Sequence, residues 1–164
     1  TIMLGHIIQG QHDRAQEILA ELLEEPLGNP DRDRSIALAC FFLDKFESGL
    51  ERALSAVEMD PLNRTNALAL FNAYYYCEKF SEAIKVFESE YGEFGEFDLN
   101  PFGWGVVINC YANSGQSDRA RVSLDNLLMT YPQLTASELE KSIFFTDEKS
   151  KDKYLSGLKQ LGLE

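Results

Sequence analysis

Four small residues, Ala15, Gly49, Ala83 and Ala120, stand 34, 34 and 37 residues apart, each early in an apolar-periodic block. A period of this size constrains the fold more than composition does. One repeat cannot bury its apolar face alone, so successive copies must stack and share a core. The repeated segments run over Gly10–Leu27, Asp33–Pro61, Ala67–Gly95 and Trp104–Pro132. A small side chain at the anchor lets two antiparallel helices approach closely, and a large one in the partner helix, such as Tyr74 or Tyr111, fills the adjacent space. Proline after a second helix stops it, because the ring cannot continue the hydrogen-bond ladder; Pro61 and Pro132 hold that place.

Helical spacing of apolar residues predicts a first helix over 12–25, built on Ala15, Ile18, Leu19, Leu22 and Leu23. Pro26 ends it, and Gly28-Asn29-Pro30 reads as the turn that follows. Hairpins are predicted from 33–44 with 47–59, 64–77 with 81–91, and 102–114 with 117–130. Two further helices are expected at 135–143 and 148–161. Thr135-Ala136-Ser137-Glu138 has the spacing of a capping box, and Gly162 is a natural helix stop. These last helices supply the terminal cap that a stacked array needs. The expected fold is all-α, an α–α superhelix of about four hairpins over 1–133, with a helical cap over 134–164 packed on the array as one domain. The chain opens at Thr1-Ile2-Met3-Leu4, which reads as the inside of a helix with no cap before it and so as a fragment of a longer protein.

The pattern resembles the tetratricopeptide repeat. In the fourth copy Trp104, Tyr111, Gly115, Ala120, Leu124 and Pro132 match that family's signature offsets. The third offers Tyr74, Phe80, Ala83 and Phe87; the second Ala37, Phe46, Gly49, Ala53, Ala56 and Pro61; the first keeps Gly10, Ala15, Leu19 and Leu22. Two departures stand out. Phe71 and Ile108 occupy positions where the family prefers a small residue, and three extra residues fall near Tyr91–Phe97. The resemblance implies a protein- or peptide-binding module whose first helices line a concave face. The positions it assigns to that face are Leu38, Phe41 and Phe42; Asn72, Tyr75 and Tyr76; and Asn109, Ala112 and Asn113. Phe41 and Tyr74 are assigned to the core. From the face positions, Leu38, Phe42, Asn72, Tyr75, Tyr76, Asn109 and Asn113 form the candidate contact set, in which rings bury side chains of a partner and amides bond its backbone. A carboxylate clamp is not implied: Leu68 and Gly105 stand where the family would place lysine, and only Arg34 is basic at that offset.

The tail, Phe144-Phe145-Thr146-Asp147 and then Tyr154 to Leu163, resembles the end of tetratricopeptide regions in bacterial signalling proteins that carry a winged-helix DNA-binding or nucleotide cyclase domain upstream. Phe144 replaces the proline usual there. This likeness implies the C-terminal regulatory or sensor region of a larger signalling or transcription-regulating protein.

Charge and chemistry narrow the classes. With 27 acidic against 15 basic residues the formal charge is −12, which repels phosphate backbones and anionic membrane surfaces. Solubility and a basic partner both remain as reasons for the acidity. Cys40, Cys77 and Cys110 form no CxxC pair, and their separations follow the repeat rather than a ligand spacing. His6 and His12 do not share a helix face, and no GxSxG elbow or phosphate-loop motif occurs. No catalytic set, metal site or cofactor is expected, and no apolar run reaches the ~20 residues that span a bilayer. The reading is therefore a non-catalytic module for a protein or peptide, placed in the cytoplasm or, alternatively, in the extracytoplasmic part of a membrane-anchored regulator. Self-association as an assembly scaffold is the alternative of another class, and an enzyme with a small-molecule site in the groove is the third.

Overall fold

The computed structural model describes residues 11–92, 99–142 and 148–163, with the side chains of His12, Tyr91, Ser142 and Lys149 outside the description. His6, most of the loop before Asn100, and the Phe144–Asp147 motif therefore lie outside the described residues, as does the opening at Thr1–Leu4. Every regular element among the described residues is a helix. They are α1 (His12–Leu23), α2 (Pro30–Phe42), α3 (Phe46–Met59), α4 (Arg64–Tyr76), α5 (Phe80–Tyr91), α6 (Pro101–Asn113), α7 (Ser117–Thr130), α8 (Ala136–Ser142) and α9 (Glu148–Gln160). The all-α, repeat-like fold expected from the period is present, with adjacent helices packed in pairs.

The repeat is written into the helix ends as well as the core. The first helices α2, α4 and α6 each begin behind an asparagine whose side chain accepts a backbone N–H of the first turn. Asn29 accepts from Arg32 at 3.0 Å, Asn63 from Thr65 at 3.1 Å and Asn100 from Gly103 at 2.9 Å. Each such cap satisfies one of the four orphan N–H groups of a helix start. The same three helices end on a left-handed residue: Asp44 (φ 54), Glu78 (φ 57) and Gly115 (φ 80). The next N–H then reaches back to the carbonyl five residues earlier: Lys45 to Cys40 at 2.9 Å, Lys79 to Tyr74 at 2.8 Å, and Gln116 to Tyr111 at 2.9 Å. That Schellman closure ends each of the three first helices. Both devices recur at the spacing of the small anchors.

One boundary differs from expectation. Residues 28–30 read as a turn with α2 starting at 33, yet α2 starts at Pro30. Asn29 is its N-cap, and Pro30 fills the first helical position, where its missing N–H has no partner to lose. The capping box at the start of α8 forms in both directions: Glu138 N donates to Thr135 Oγ1 and Thr135 N to a Glu138 carboxylate oxygen, each at 3.1 Å. Gly162 (φ 105) closes α9 by the same Schellman geometry, with Leu163 N donating to Leu158 O at 3.1 Å.

The chain gathers into two compact units, residues 1–79 and 80–164. The boundary divides the third predicted hairpin: α4 closes the first unit and α5 opens the second. The closing helices α8 and α9 belong to the same unit as the fourth hairpin.

In the first unit α2 and α3 form the most extensive helix pair, and α4 packs on both. Gly49 allows the α2–α3 approach. A Cβ there would lie 2.6 Å from the Phe41 ring and 3.0 Å from Cys40 Cβ. Ala15 and Leu19 from α1 join Ile36, Ala39, Cys40 and Leu43 in one cluster, which Ile18, Leu22, Leu23 and Phe42 flank. Beneath the loop between α1 and α2 lies a buried ion pair, Asp33 and Arg52, 0% and 3% exposed and joined at 2.7 Å. The other Asp33 oxygen accepts from Gly28 N (2.8 Å), Asn29 N (3.2 Å) and Ser55 Oγ (2.8 Å). Arg52 in turn donates to the carbonyls of Leu22 (3.2 Å), Leu23 (2.9 Å) and Glu25 (2.5 Å), at and just beyond the negative end of α1. One pair thus ties α1, the loop, α2 and α3 together.

In the second unit α6 pairs with α7 and also touches α5, α8 and α9. Val106, Val107, Ile108, Cys110 and Tyr111 of α6 are buried, as are Ala83, Ile84 and Phe87 of α5 and Ala120, Leu124 and Leu127 of α7. Ile108 and Phe71, the two large residues at positions where a small one is preferred, are 0% and 1% exposed and simply fill core volume.

Candidate functional site

The candidate contact residues fall in both units: Leu38, Phe42, Asn72, Tyr75 and Tyr76 in the first, Asn109 and Asn113 in the second. Within the first unit, α2 and α4 lie side by side. The Phe41 and Tyr76 rings stack at 5.1 Å, and Arg34 donates to Asn66 Oδ1 at 2.9 Å. These contacts align the two helices, so that Leu38 and Asn72 occupy equivalent places on neighbouring first helices. Both are half-buried. Asn72 donates its amide to Leu68 O at 3.0 Å, one turn back in its own helix. Among the described residues its Oδ1 accepts no hydrogen bond, which leaves an acceptor for a ligand's N–H.

The aromatic candidates are committed elsewhere. Phe42 packs on the α1–α2 cluster, because α1 covers that side of α2. Tyr75 is buried, with its ring edge-on to Tyr76 at 5.4 Å. Tyr76 is held between Phe41 and Phe46, stacked on the latter at 5.4 Å. Burial, reinforced by the Asp44 carboxylate, pushes the Tyr76 phenol well above its ordinary pKa, so it stays neutral. Three aromatic rings stacked in series make Tyr76 a pillar of the first unit. Phe41, assigned to the core from sequence, is buried, whereas Tyr74 is half-buried.

In the second unit the two asparagines have protein partners. Asn109, 2% exposed, donates to Gly105 O at 2.8 Å and to Tyr154 O of α9 at 3.1 Å. Asn113 is exposed and donates to Asn109 O at 2.8 Å. Asn109 therefore faces the chain's own closing helix rather than an open groove. Nearby, Glu88 of α5 accepts from Tyr111 Oη at 3.1 Å and pairs with Arg119 of α7 at 2.5 Å, with the guanidinium also over the Tyr111 ring. These contacts bind α5, α6 and α7 into one body.

Two polar features went unread in the sequence. The asparagine caps were visible as Asn29, Asn63 and Asn100 at the repeat spacing. Arg52 was visible as a charge three residues after the anchor Gly49, on the face that must be buried.

Reactive chemistry is sparse. Among the described residues no group of three or more His, Cys, Asp or Glu side chains converges on a metal-sized site, and no helix is long and apolar enough to cross a membrane. Cys40 and Cys110 are buried, and burial pushes their thiols up, Cys40 to about 11. Neither can be an activated thiolate. No family model and no curated protein sequence matches this chain.

Proposed function

We propose that this chain is a non-catalytic helical-repeat module that binds a segment of another protein along the first helices of its repeats. The observation that carries the reading is the α2–α4 wall. Two equivalent helices lie side by side, locked by Phe41–Tyr76 and Arg34–Asn66. Between those locks they present an apolar side chain, Leu38, and an amide with an unused acceptor, Asn72. Such a wall suits an extended or helical peptide, whose backbone the amide bonds and whose side chains the leucine buries. The net charge of −12 favours a basic segment. The tetratricopeptide likeness and the signalling-protein likeness of the tail agree with this reading and add a regulatory setting for it. Self-association is the second reading. The exposed Leu54 (43%) and Met59 (55%) on α3 and Leu62 (92%) just beyond it favour it.

The test substitutes the half-buried Leu38 and Asn72, since Tyr76 also supports the fold. Immobilised wild-type chain is compared with Leu38→Glu and Asn72→Ala chains for capture of basic peptides from a random library. The wall reading expects both substitutions to abolish enrichment while the circular dichroism spectrum is unchanged. Equal enrichment by all three chains rejects the wall. A concentration-dependent dimer that Leu54→Glu or Leu62→Glu disperses supports self-association.

A further inference from the structure

The last helix is seated on α6 by features that serve recognition more than filling. Tyr154 is fully buried. Its ring stacks on Phe102 at 5.3 Å, and its hydroxyl donates to Phe102 O at 2.9 Å. Gly105 makes the room, because any Cβ there would overlap the Tyr154 hydroxyl. One turn further along each helix the roles reverse. Gly157 of α9 leaves space for the Asn109 side chain of α6, whose oxygen a Cβ at Gly157 would strike. Asn109 completes the pairing by donating to Tyr154 O at 3.1 Å. Each helix thus gives up a side chain where the other inserts one, and both the Tyr154 hydroxyl and the Asn109 amide N–H donate to a carbonyl. Leu155 and Leu158 are buried beside this pair.

Charge points the same way. The α9 segment EKSKDKYLSGLKQ holds four lysines against two acidic residues. Residues 80–147, which precede it in its unit, hold eleven acidic against four basic residues. Lys151 bridges Glu140 of α8 at 3.4 Å and Glu148 at 2.6 Å. A basic amphipathic helix is therefore seated on an acidic body.

We propose that the Phe102–Gly105–Asn109 face of α6 is a helix-binding site that α9 fills in cis, and that its occupant in trans is a basic amphipathic helix with tyrosine and glycine three residues apart, the pattern Tyr154-Leu155-Ser156-Gly157-Leu158. The tethered helix acts at an effective concentration of order millimolar, so an external helix gains access only by matching this pattern and outcompeting it. This site lies wholly within the second unit and does not depend on the α2–α4 wall.

The test uses the full chain and a fluorescent peptide of residues 148–163, followed by anisotropy. Gly157→Val in the chain forces α9 off Asn109. The vacated face is expected to bind the wild-type peptide at least about ten-fold more tightly than the wild-type chain does, since cis competition is removed. The peptide carrying Gly157→Val is expected to bind neither chain. Leu38→Glu is expected to leave peptide binding unchanged, which separates this site from the first unit's wall. Loss of binding in that variant would overturn the assignment to α6. A Gly157→Val chain that keeps its helical signal outside α9 yet ignores the wild-type peptide overturns the proposal. Hydrogen exchange on the wild-type chain decides the matter if that variant does not fold. The Leu155 and Leu158 amides are expected to exchange by local opening, well before those of Val107 and Leu124. Exchange of all four in one cooperative step would make α9 an inseparable part of the core and overturn the proposal.

Discussion

Replacing Asp33 by alanine should unfold the first unit more readily than any single surface change. The carboxylate is fully buried, accepts four hydrogen bonds and neutralises Arg52. Truncation leaves Arg52 charged in a buried site with only carbonyl partners, strands the Asn29 N–H and the Ser55 hydroxyl donor, and leaves the Gly28 N–H only its 3.2 Å bond to Ser55 Oγ. Breaking a buried pair from one side costs about 3–5 kcal/mol, because the surviving charge is uncompensated. A unit of 79 residues has ~4–12 kcal/mol of stability in all, so the loss is a large fraction. At roughly 4 °C or more per kcal/mol the melting temperature should fall by at least about 12 °C. Urea unfolding followed by circular dichroism at 222 nm gives the free energy directly. The paired replacement Asp33→Leu with Arg52→Met should recover most of the loss, since an apolar pair of similar volume needs no desolvation. A loss below about 1 kcal/mol for Asp33→Ala would refute the argument, because truncating even one hydrogen-bonded buried charge costs more than that.

Other outcomes follow from the same contacts. Burial alone would raise the Asp33 pKa, but the bonds from Arg52, Gly28 and Ser55 outweigh it and hold the carboxyl below its usual 3.8. Its contribution is therefore present above that value and lost as pH falls through the lower folded pKa, so acid titration should show stability declining from about pH 4 downward in wild type and a shallower decline in Asp33→Asn. Glu78→Gly should stabilise by about 0.5–1 kcal/mol, since φ 57 strains a residue with a Cβ, whereas Gly115→Ala at φ 80 should cost about 1–2 kcal/mol in the same urea assay. Gly49→Val should destabilise by roughly 1–3 kcal/mol by driving α3 away from Phe41 and Cys40. Of the three thiols, only Cys77 is half-exposed, so it should react first with a thiol reagent, with Cys40 and Cys110 reacting only on unfolding.

The helix pairs were legible in the sequence because their determinants are local. Small anchors at a fixed spacing, apolar residues at helical offsets, the Thr135–Glu138 box and Gly162 each act within one or two turns. The start of α2 was misplaced because Gly28-Asn29-Pro30 has turn composition, and only the geometry of Asn29 distinguishes a cap from a turn. The candidate contact set was less legible. An aromatic residue on a first helix reads the same whether it faces a partner or another ring, and Phe42, Tyr75 and Tyr76 turn out to face protein. Asn109 was assigned to a groove because nothing local shows that Gly157, 48 positions later, is shaped to receive it. Arg52 carries no local mark of its partner, although its place relative to Gly49 puts it on the buried face.

Both proposed surfaces depend on helix pairs whose first helices close on left-handed residues at fixed register. Backbone chemical shifts of the chain in solution test this most directly. They should report left-handed geometry at Asp44, Glu78 and Gly115, with helical shifts on both sides of each. Helical shifts running unbroken through any of these positions, or extended shifts in place of α2, α4 or α6, would contradict the register on which both binding surfaces depend.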